Sequence, residues 1–296
     1  MKIFSKESVL TGHQGAIYCA IAAGKHILTA GSDGWIAAWD LSTGTDGNLL
    51  AKVPAQVFSL VSLSDTMDQM VAGDMNGVLH WVFPGRQELT KSIQAHKTSI
   101  FNLVVYGDYL ISLGGDGRMI FWDKEQMMPI ETIQLTDKAL RKGKISPDGN
   151  TLAIAASDGQ IYLMDLEQKK IRQKMYDAHL PSVFCLAFHP TRSELFSGGR
   201  DAHIKVWDLD ADCGLKLDIA AHWFTVNDLL ILAEEQMLIS ASRDKTVRVW
   251  DLNDYSLLQT LGGIAANGHS HSVNCLIATE EGFFSAGDDR KLIYWV

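Results

Sequence analysis

Seven segments of this 296-residue chain can be laid one over another: GSDGWIAAWD, GDMNGVLHWV, GGDGRMIFWD, ASDGQIYLMD, GRDAHIKVWD, SRDKTVRVWD and GDDRKLIYWV. Their shared aromatic position falls on Trp39, Trp81, Trp122, Met164, Trp207, Trp250 and Trp295, at intervals of 42, 41, 42, 43, 43 and 45 residues. A period in this range marks one repeated supersecondary unit that buries its apolar face only against its neighbours. The sixth unit shows the content. TVNDLLIL, QMLISAS, TVRVWD and SLLQTL are four strand-length apolar runs separated by turn residues. No helix-length apolar period lies between them, so an alternation of strands and helices is excluded. The chain reads as all-β, with four antiparallel strands in each unit.

Four units carry a Trp-Asp pair: Trp39-Asp40, Trp122-Asp123, Trp207-Asp208 and Trp250-Asp251. With the period, these pairs resemble the WD-repeat (beta-transducin-like) family, and the resemblance covers the whole chain. It implies a seven-bladed β-propeller, a single domain over residues 1–296, with sheets packed face to face around a central channel. It also implies a polar network in each blade, joining a His before the first strand, a Ser or Thr in the second, an Asp in the following turn and the Trp of the third. Five units have the full set: His13, Thr29, Asp33 and Trp39; His96, Ser112, Asp116 and Trp122; His179, Ser197, Asp201 and Trp207; His222, Ser240, Asp244 and Trp250; His269, Ser285, Asp289 and Trp295. An indole N–H is a donor only, and burying it unpaired is costly. A hydroxyl takes that proton and passes its own to imidazole, whose second nitrogen donates to the carboxylate. Two units depart. The second has Ala55 and Met75 near the His and Asp positions; the fourth has Thr136 or Lys138, Ile154 and Met164 for His, Ser and Trp. Those two blades are expected to rely on apolar packing alone.

The last stretch, KLIYWV, aligns with the third strand of every other unit, so the seventh lacks a fourth strand there. SKESVL (5–10) precedes His13 as LTKSI (89–93) precedes His96, with Leu10 and Ile93 each three residues before the His. A strand at about 5–10 is therefore expected to pair with 291–296, closing one ring without an appended domain and hiding an edge that would otherwise invite association.

Composition narrows the function. The net charge of -9 argues against a general nucleic-acid binder, which needs a basic face to neutralise phosphates, and leaves room for a local basic patch. MKIFSKESVL has no secretory apolar region, and no run of 18 apolar residues offers a membrane span. The expectation is a cytoplasmic protein, monomeric alone, with neither nucleic acid nor membrane as partner. Cys19, Cys185, Cys213 and Cys275 are not spaced as a zinc knuckle and read as reduced thiols. Cys19, Cys185 and Cys275 share one repeat position, as small buried hydrophobes do; Cys213, in DLDADCG, is expected to be more exposed. The recurring Ser and His residues belong to the blades, and no nucleophile–base arrangement is left over. GHSH (268–271) has two His without a local carboxylate or Cys. GGIAANG (262–268) joins two units, whereas a phosphate loop runs from a strand into a helix. No catalytic residue, metal or cofactor is assigned.

By resemblance, such a propeller is a non-enzymatic platform or scaffold that binds proteins or peptides on the face carrying the inter-blade loops. Residues beside the structural Asp are Ser32, Asp74, Gly115, Ser157, Arg200, Arg243 and Asp288; early in the first strands stand Tyr18, Phe58, Phe101, Arg141, Phe184, Asn227 and Asn274. Trp223 and Phe224 lie in a loop of an acidic protein, where large aromatics suggest a binding hot spot. Arg141 and Lys142 of the fourth unit, Arg200 of the fifth and Arg243 of the sixth are expected on one arc of the same face, and with the aromatics they suit an acidic or phosphorylated peptide. Two other readings stay open: a small-molecule binder or enzyme using the central channel, with Tyr18 and Phe101 at its mouth, and a structural subunit of a larger assembly.

Overall fold

The computed structural model describes residues 2–40, 47–64, 66–263 and 268–296. Its strands form seven four-stranded sheets. Blade 1 contains β2 (Ile17–Ala23), β3 (His26–Gly31), β4 (Trp35–Asp40) and β5 (Asn48–Lys52). Blade 2 contains β6 (Val57–Ser62), β7 (Met70–Asp74), β8 (Val78–Val82) and β9 (Lys91–Gln94), and blade 3 β10 (Ile100–Tyr106), β11 (Tyr109–Gly114), β12 (Arg118–Asp123) and β13 (Met128–Gln134). Blade 4 has β14 (Leu140–Ile145), β15 (Thr151–Ala156), β16 (Ile161–Asp165) and β17 (Lys170–Met175); blade 5 has β18 (Val183–Phe188), β19 (Glu194–Gly199), β20 (His203–Asp208) and β21 (Gly214–Ala220). Blade 6 has β22 (Val226–Leu232), β23 (Met237–Ser242), β24 (Thr246–Asp251) and β25 (Leu257–Gly262). Blade 7 is built from β26 (Val273–Ala278), β27 (Phe283–Gly287), β28 (Lys291–Trp295) and, beside β28, β1 (Lys6–Thr11).

Tight turns join the strands. At the turn from β11 to β12, Gly117 has φ +74°, and a Cβ there would lie 1.9 Å from the Thr136 carbonyl oxygen, so only glycine fits. The chain sorts into two compact units. One comprises Met1–Glu7, Arg141–Ser285 and Ile293–Val296; the other comprises Ser8–Leu140 and Ala286–Leu292.

In the first unit, alternation along each strand sends the repeat tryptophan toward the preceding blade. Trp207 packs with Ala153, Ala155 and Leu163 of blade 4, Trp250 with Phe196 and Val206 of blade 5, and Trp295 with Ile239 and Val249 of blade 6. Phe4 joins that last cluster, edge-on to Phe283 with ring centroids 5.0 Å apart. Ser5 and Val296 exchange two backbone hydrogen bonds of 2.9 and 3.0 Å, so the pairing expected of residues 5–10 and 291–296 is present.

The second unit corrects the alignment in blade 2. The Gly77 N–H donates to the Asp74 carbonyl as Gly34 does to Gly31 and Gly117 to Gly114. Counted from that turn, Val82 occupies the place of Trp39 and Trp122, and Trp81 comes one residue early. One residue of slip on a strand turns the side chain to the other face. Val82 accordingly packs with blade 1, and Trp81 faces blade 3, edge-on to Trp122 at 5.6 Å. Its buried indole N–H has no hydrogen-bond partner among the described residues.

Blades 2 and 4 also do not rely on apolar packing alone. Ala72 and Ile154, which stand in the Ser/Thr slot, pair across the sheet with His80 and Tyr162. His80 contacts Asp74 Oδ2 at 3.3 Å and Ser92 Oγ at 2.8 Å, and the Tyr162 hydroxyl donates to Asp158 Oδ2 at 2.6 Å. Where the hydroxyl is missing from β7 or β15, a polar aromatic on the third strand reaches an acid, Asp74 at the end of β7 or Asp158 in the turn after β15, in place of the loop His. Asp74 is therefore a buried structural acid, 1% exposed, and Met75 takes the outward place beside the turn.

Candidate functional site: loops braced by buried networks

Each complete network starts at the indole. Trp39, Trp122, Trp207, Trp250 and Trp295 donate Nε1–H to Thr29, Ser112, Ser197, Ser240 and Ser285 at 2.8–3.0 Å. Those hydroxyls lie 2.7–2.8 Å from Nε2 of His13, His96, His179, His222 and His269. In four blades the His Nδ1 lies 2.9 Å from Asp33, Asp116, Asp201 or Asp244. His269 in GHSH is thus committed to Ser285. Of GGIAANG, residues 264–267 lie outside the described residues.

The same carboxylates take a second donor, the backbone N–H of the residue that follows the His: Gln14 at 2.9 Å, Lys97 at 3.0 Å, Leu180 at 3.2 Å and Trp223 at 3.1 Å. The network therefore fixes the backbone from which an outward side chain projects. Burial opposes ionisation of Asp33, Asp116, Asp201 and Asp244, yet the N–H groups aimed at them prevail, and all four carboxyls are held below the ordinary range. Burial pushes the imidazoles of His96 and His222 down despite the nearby carboxylates.

These shifts set a pH dependence. A base kept neutral by the fold loses its contribution as pH falls through its unfolded pKa, about 6.5; a depressed carboxylate loses its own as pH falls below about 4 and through its folded value. The melting temperature is expected to decline gently below about pH 6.5 and steeply below about pH 4. A thermal scan series at constant ionic strength checks this; a melting temperature unchanged down to pH 3 would contradict it.

Above this bracing, the end of the first unit carries Trp223, 82% exposed, and Phe224, 58% exposed. Leu180, 72% exposed, stands on the preceding loop at the same repeat position as Trp223, directly after the blade His. That coincidence was readable in HLPSV and HWFTV. Arg200 and Arg243, both exposed, lie in adjacent turns and are anchored by backbone bonds to Ser182 and Thr225 at 3.0 Å. Arg141 is half-buried, donates from Nε to Ser157 at 2.7 Å and lies 5.1 Å over the Phe184 ring. Apolar and cationic groups thus share one end of blades 4 to 6.

Tyr18 and Phe101 belong to the second unit. With Phe58 they form a row, with ring centroids 5.1 and 5.6 Å apart. Register shifts fall at Tyr18, Phe58, Phe101, Phe184 and Asn227, so this repeat position is a β-bulge that re-aims its side chain. Sequence reading marked these positions without the bulge that explains them. Among the thiols, burial raises the pKa of Cys185 and of Cys213, and neither is poised as a thiolate. Cys213 is half-buried against the core of blades 4 and 5, more exposed than the buried Cys185 and Cys275 as its loop suggested, whereas Cys19 at their repeat position is only half-buried.

Residues 4–40, 170–208 and 214–251 match the family model described as WD domain, G-beta repeat. The chain is similar to the GATOR2 complex protein WDR24 of Danio rerio, 28% identical over 134 residues, 44% of this chain and 17% of that protein. It is similar to the target of rapamycin complex subunit LST8-1 of Arabidopsis thaliana, 33% identical over 97 residues, 32% of each chain. It spans 17–39% of the length of the first two curated relatives it matches. The WD40 β-propeller domain of Doa1 matches 100% of this chain and 97% of its own, with a TM-score of 0.86 at 17% identity, a likeness of fold.

Proposed function

We propose, since this chain is a WD-repeat protein with a seven-bladed propeller fold, that it serves as a non-catalytic platform that captures a protein partner on the loop end of blades 4 to 6. One observation carries the reading: Leu180, Trp223 and Phe224 stand exposed on consecutive loops whose backbones are clamped from beneath. Holding large apolar side chains in water has no folding benefit, and Trp and Arg are the residues that most often dominate binding energy. WDR24 and LST8-1 are by their names members of complexes, which supports a place in an assembly.

The partner segment proposed here pairs a bulky apolar residue with acidic or phosphorylated ones, matching Trp223 and Leu180 beside Arg200 and Arg243. Replacing Trp223 and Arg243 together by Ala is expected to weaken capture by roughly thirtyfold or more, from a loss of about 2 kcal/mol or above. Both side chains are solvated, so the melting temperature stays within about 1 °C. Affinity purification from the native host, wild type beside the double variant, reads the result. Equal recovery of the same partner by both proteins would refute the surface.

A further inference from the structure

The first strand of blade 4 breaks the pattern of its counterparts twice. Lys142 stands where the other first strands have Cys19, Ser59, Asn102, Cys185, Asp228 and Cys275. Lys144 stands where they have Ile21, Val61, Val104, Ala187, Leu230 and Ile277. The first lysine has a partner. Its Nζ reaches past β18 to Asp228 Oδ1 on β22, at 3.2 Å. Asp228 is 5% exposed, and its other oxygen accepts the Leu276 N–H at 3.1 Å. That pair balances its own charge, and both carboxylate oxygens are used.

Lys144 lies two residues further along β14, on the same strand face. Among the described residues no hydrogen bond or ion pair is recorded for its ammonium, although its side chain is open to solvent. Crowding by protein and the positive charge of Lys142 lower its pKa, while Asp228 and Cys185 act the other way. An aliphatic residue would serve packing here, as it does in six other blades. A solvent-facing ammonium on the same strand face as a second ammonium with donors to spare offers an oxyanion two cationic partners.

We propose that Lys144, supported by Lys142, binds a small phosphate-type oxyanion on the inner strands of blades 4 to 6. The site is separate from the partner surface: it uses neither Trp223 nor the arginines of the turns. Bound anion neutralises the Lys142–Lys144 repulsion and stabilises the folded chain.

Isothermal titration with inorganic phosphate tests it, at constant ionic strength against chloride. The intact protein is expected to bind one phosphate saturably, with a dissociation constant on the order of 1 mM and a rise in melting temperature of about 3 °C at 20 mM. Lys144→Met, which places an apolar side chain where the six other first strands have one, and Lys144→Gln should each weaken binding at least tenfold. The Trp223→Ala/Arg243→Ala protein should bind phosphate as wild type does. O-phosphoserine in place of phosphate separates the sources: heat from both identifies a phosphate ester or ion, and heat from phosphate alone identifies the free ion. Absence of saturable binding to the intact protein overturns the proposal. So does binding that survives both Lys144 changes, or that is lost only with Arg243; non-specific salting by phosphate would leave all variants alike.

Discussion

Removal of residues 1–10 will lower the melting temperature by about 10 °C or more and promote aggregation. Phe4 is 2% exposed and packed among Phe283, Trp295 and Val249. Losing a buried phenylalanine costs about 3–5 kcal/mol. The backbone loses more. Phe4 N–H donates to Gln259 Oε1 at 3.0 Å and its carbonyl accepts from Gln259 Nε2 at 2.8 Å, so one glutamine side chain imitates a strand partner. Without Ser5 and β1, β28 presents unpaired N–H and C=O groups along its length, a template for a second chain. Calorimetry and light scattering read both effects, and Phe4→Ala should fall between truncated and intact protein. A truncated chain that stays monodisperse and melts with the intact one would show that β1 is not needed to complete blade 7.

The second large effect belongs to a single hydroxyl. Ser240→Ala will destabilise the protein by about 2–5 kcal/mol, although it removes one atom and leaves almost no cavity. Ser240 is fully buried, accepts from Trp250 at 2.9 Å and lies 2.7 Å from His222 Nε2. Its loss strands a buried donor and a buried acceptor together, each worth about 1–3 kcal/mol. Trp250→Phe removes the indole N–H, so the double variant should be less damaged than the sum of the two singles, a coupling that urea titration measures. Additive losses would mean that the hydroxyl does not join the two. The effect should also reach the surface, because His222 positions Asp244 and Asp244 holds the Trp223 amide.

The repeat made the fold legible. Seven units, their four strands and the pairing of β1 with β28 all follow from period and apolar pattern, since those reflect burial that every blade needs. Blade 2 was misread for a physical reason. Trp81 sits within one residue of the repeat tryptophan, and composition cannot tell the two faces of a strand apart; only the turn at Gly77 sets the register. His80 and Tyr162 escaped notice because they replace the loop His from another strand, at a spacing unlike its own. Trp223, Phe224 and the turn arginines stood out as types unusual for their loops. Lys144 did not, since one lysine in a strand carries no signal until its aliphatic counterparts are set beside it.

The double use of the turn carboxylates separates two things that most binding surfaces entangle. At Gln14, Lys97, Leu180 and Trp223 the main chain is tethered by its amide, and the side chain is free of any duty to the fold. Such positions are sockets of constant shape into which polar, cationic, aliphatic or aromatic groups have been fitted in turn. Recognition can then drift, blade by blade, at almost no structural expense, and an engineer can rewrite it in the same way: Gln14→Trp should transplant an aromatic contact to blade 1 and leave the unfolding curve where it was.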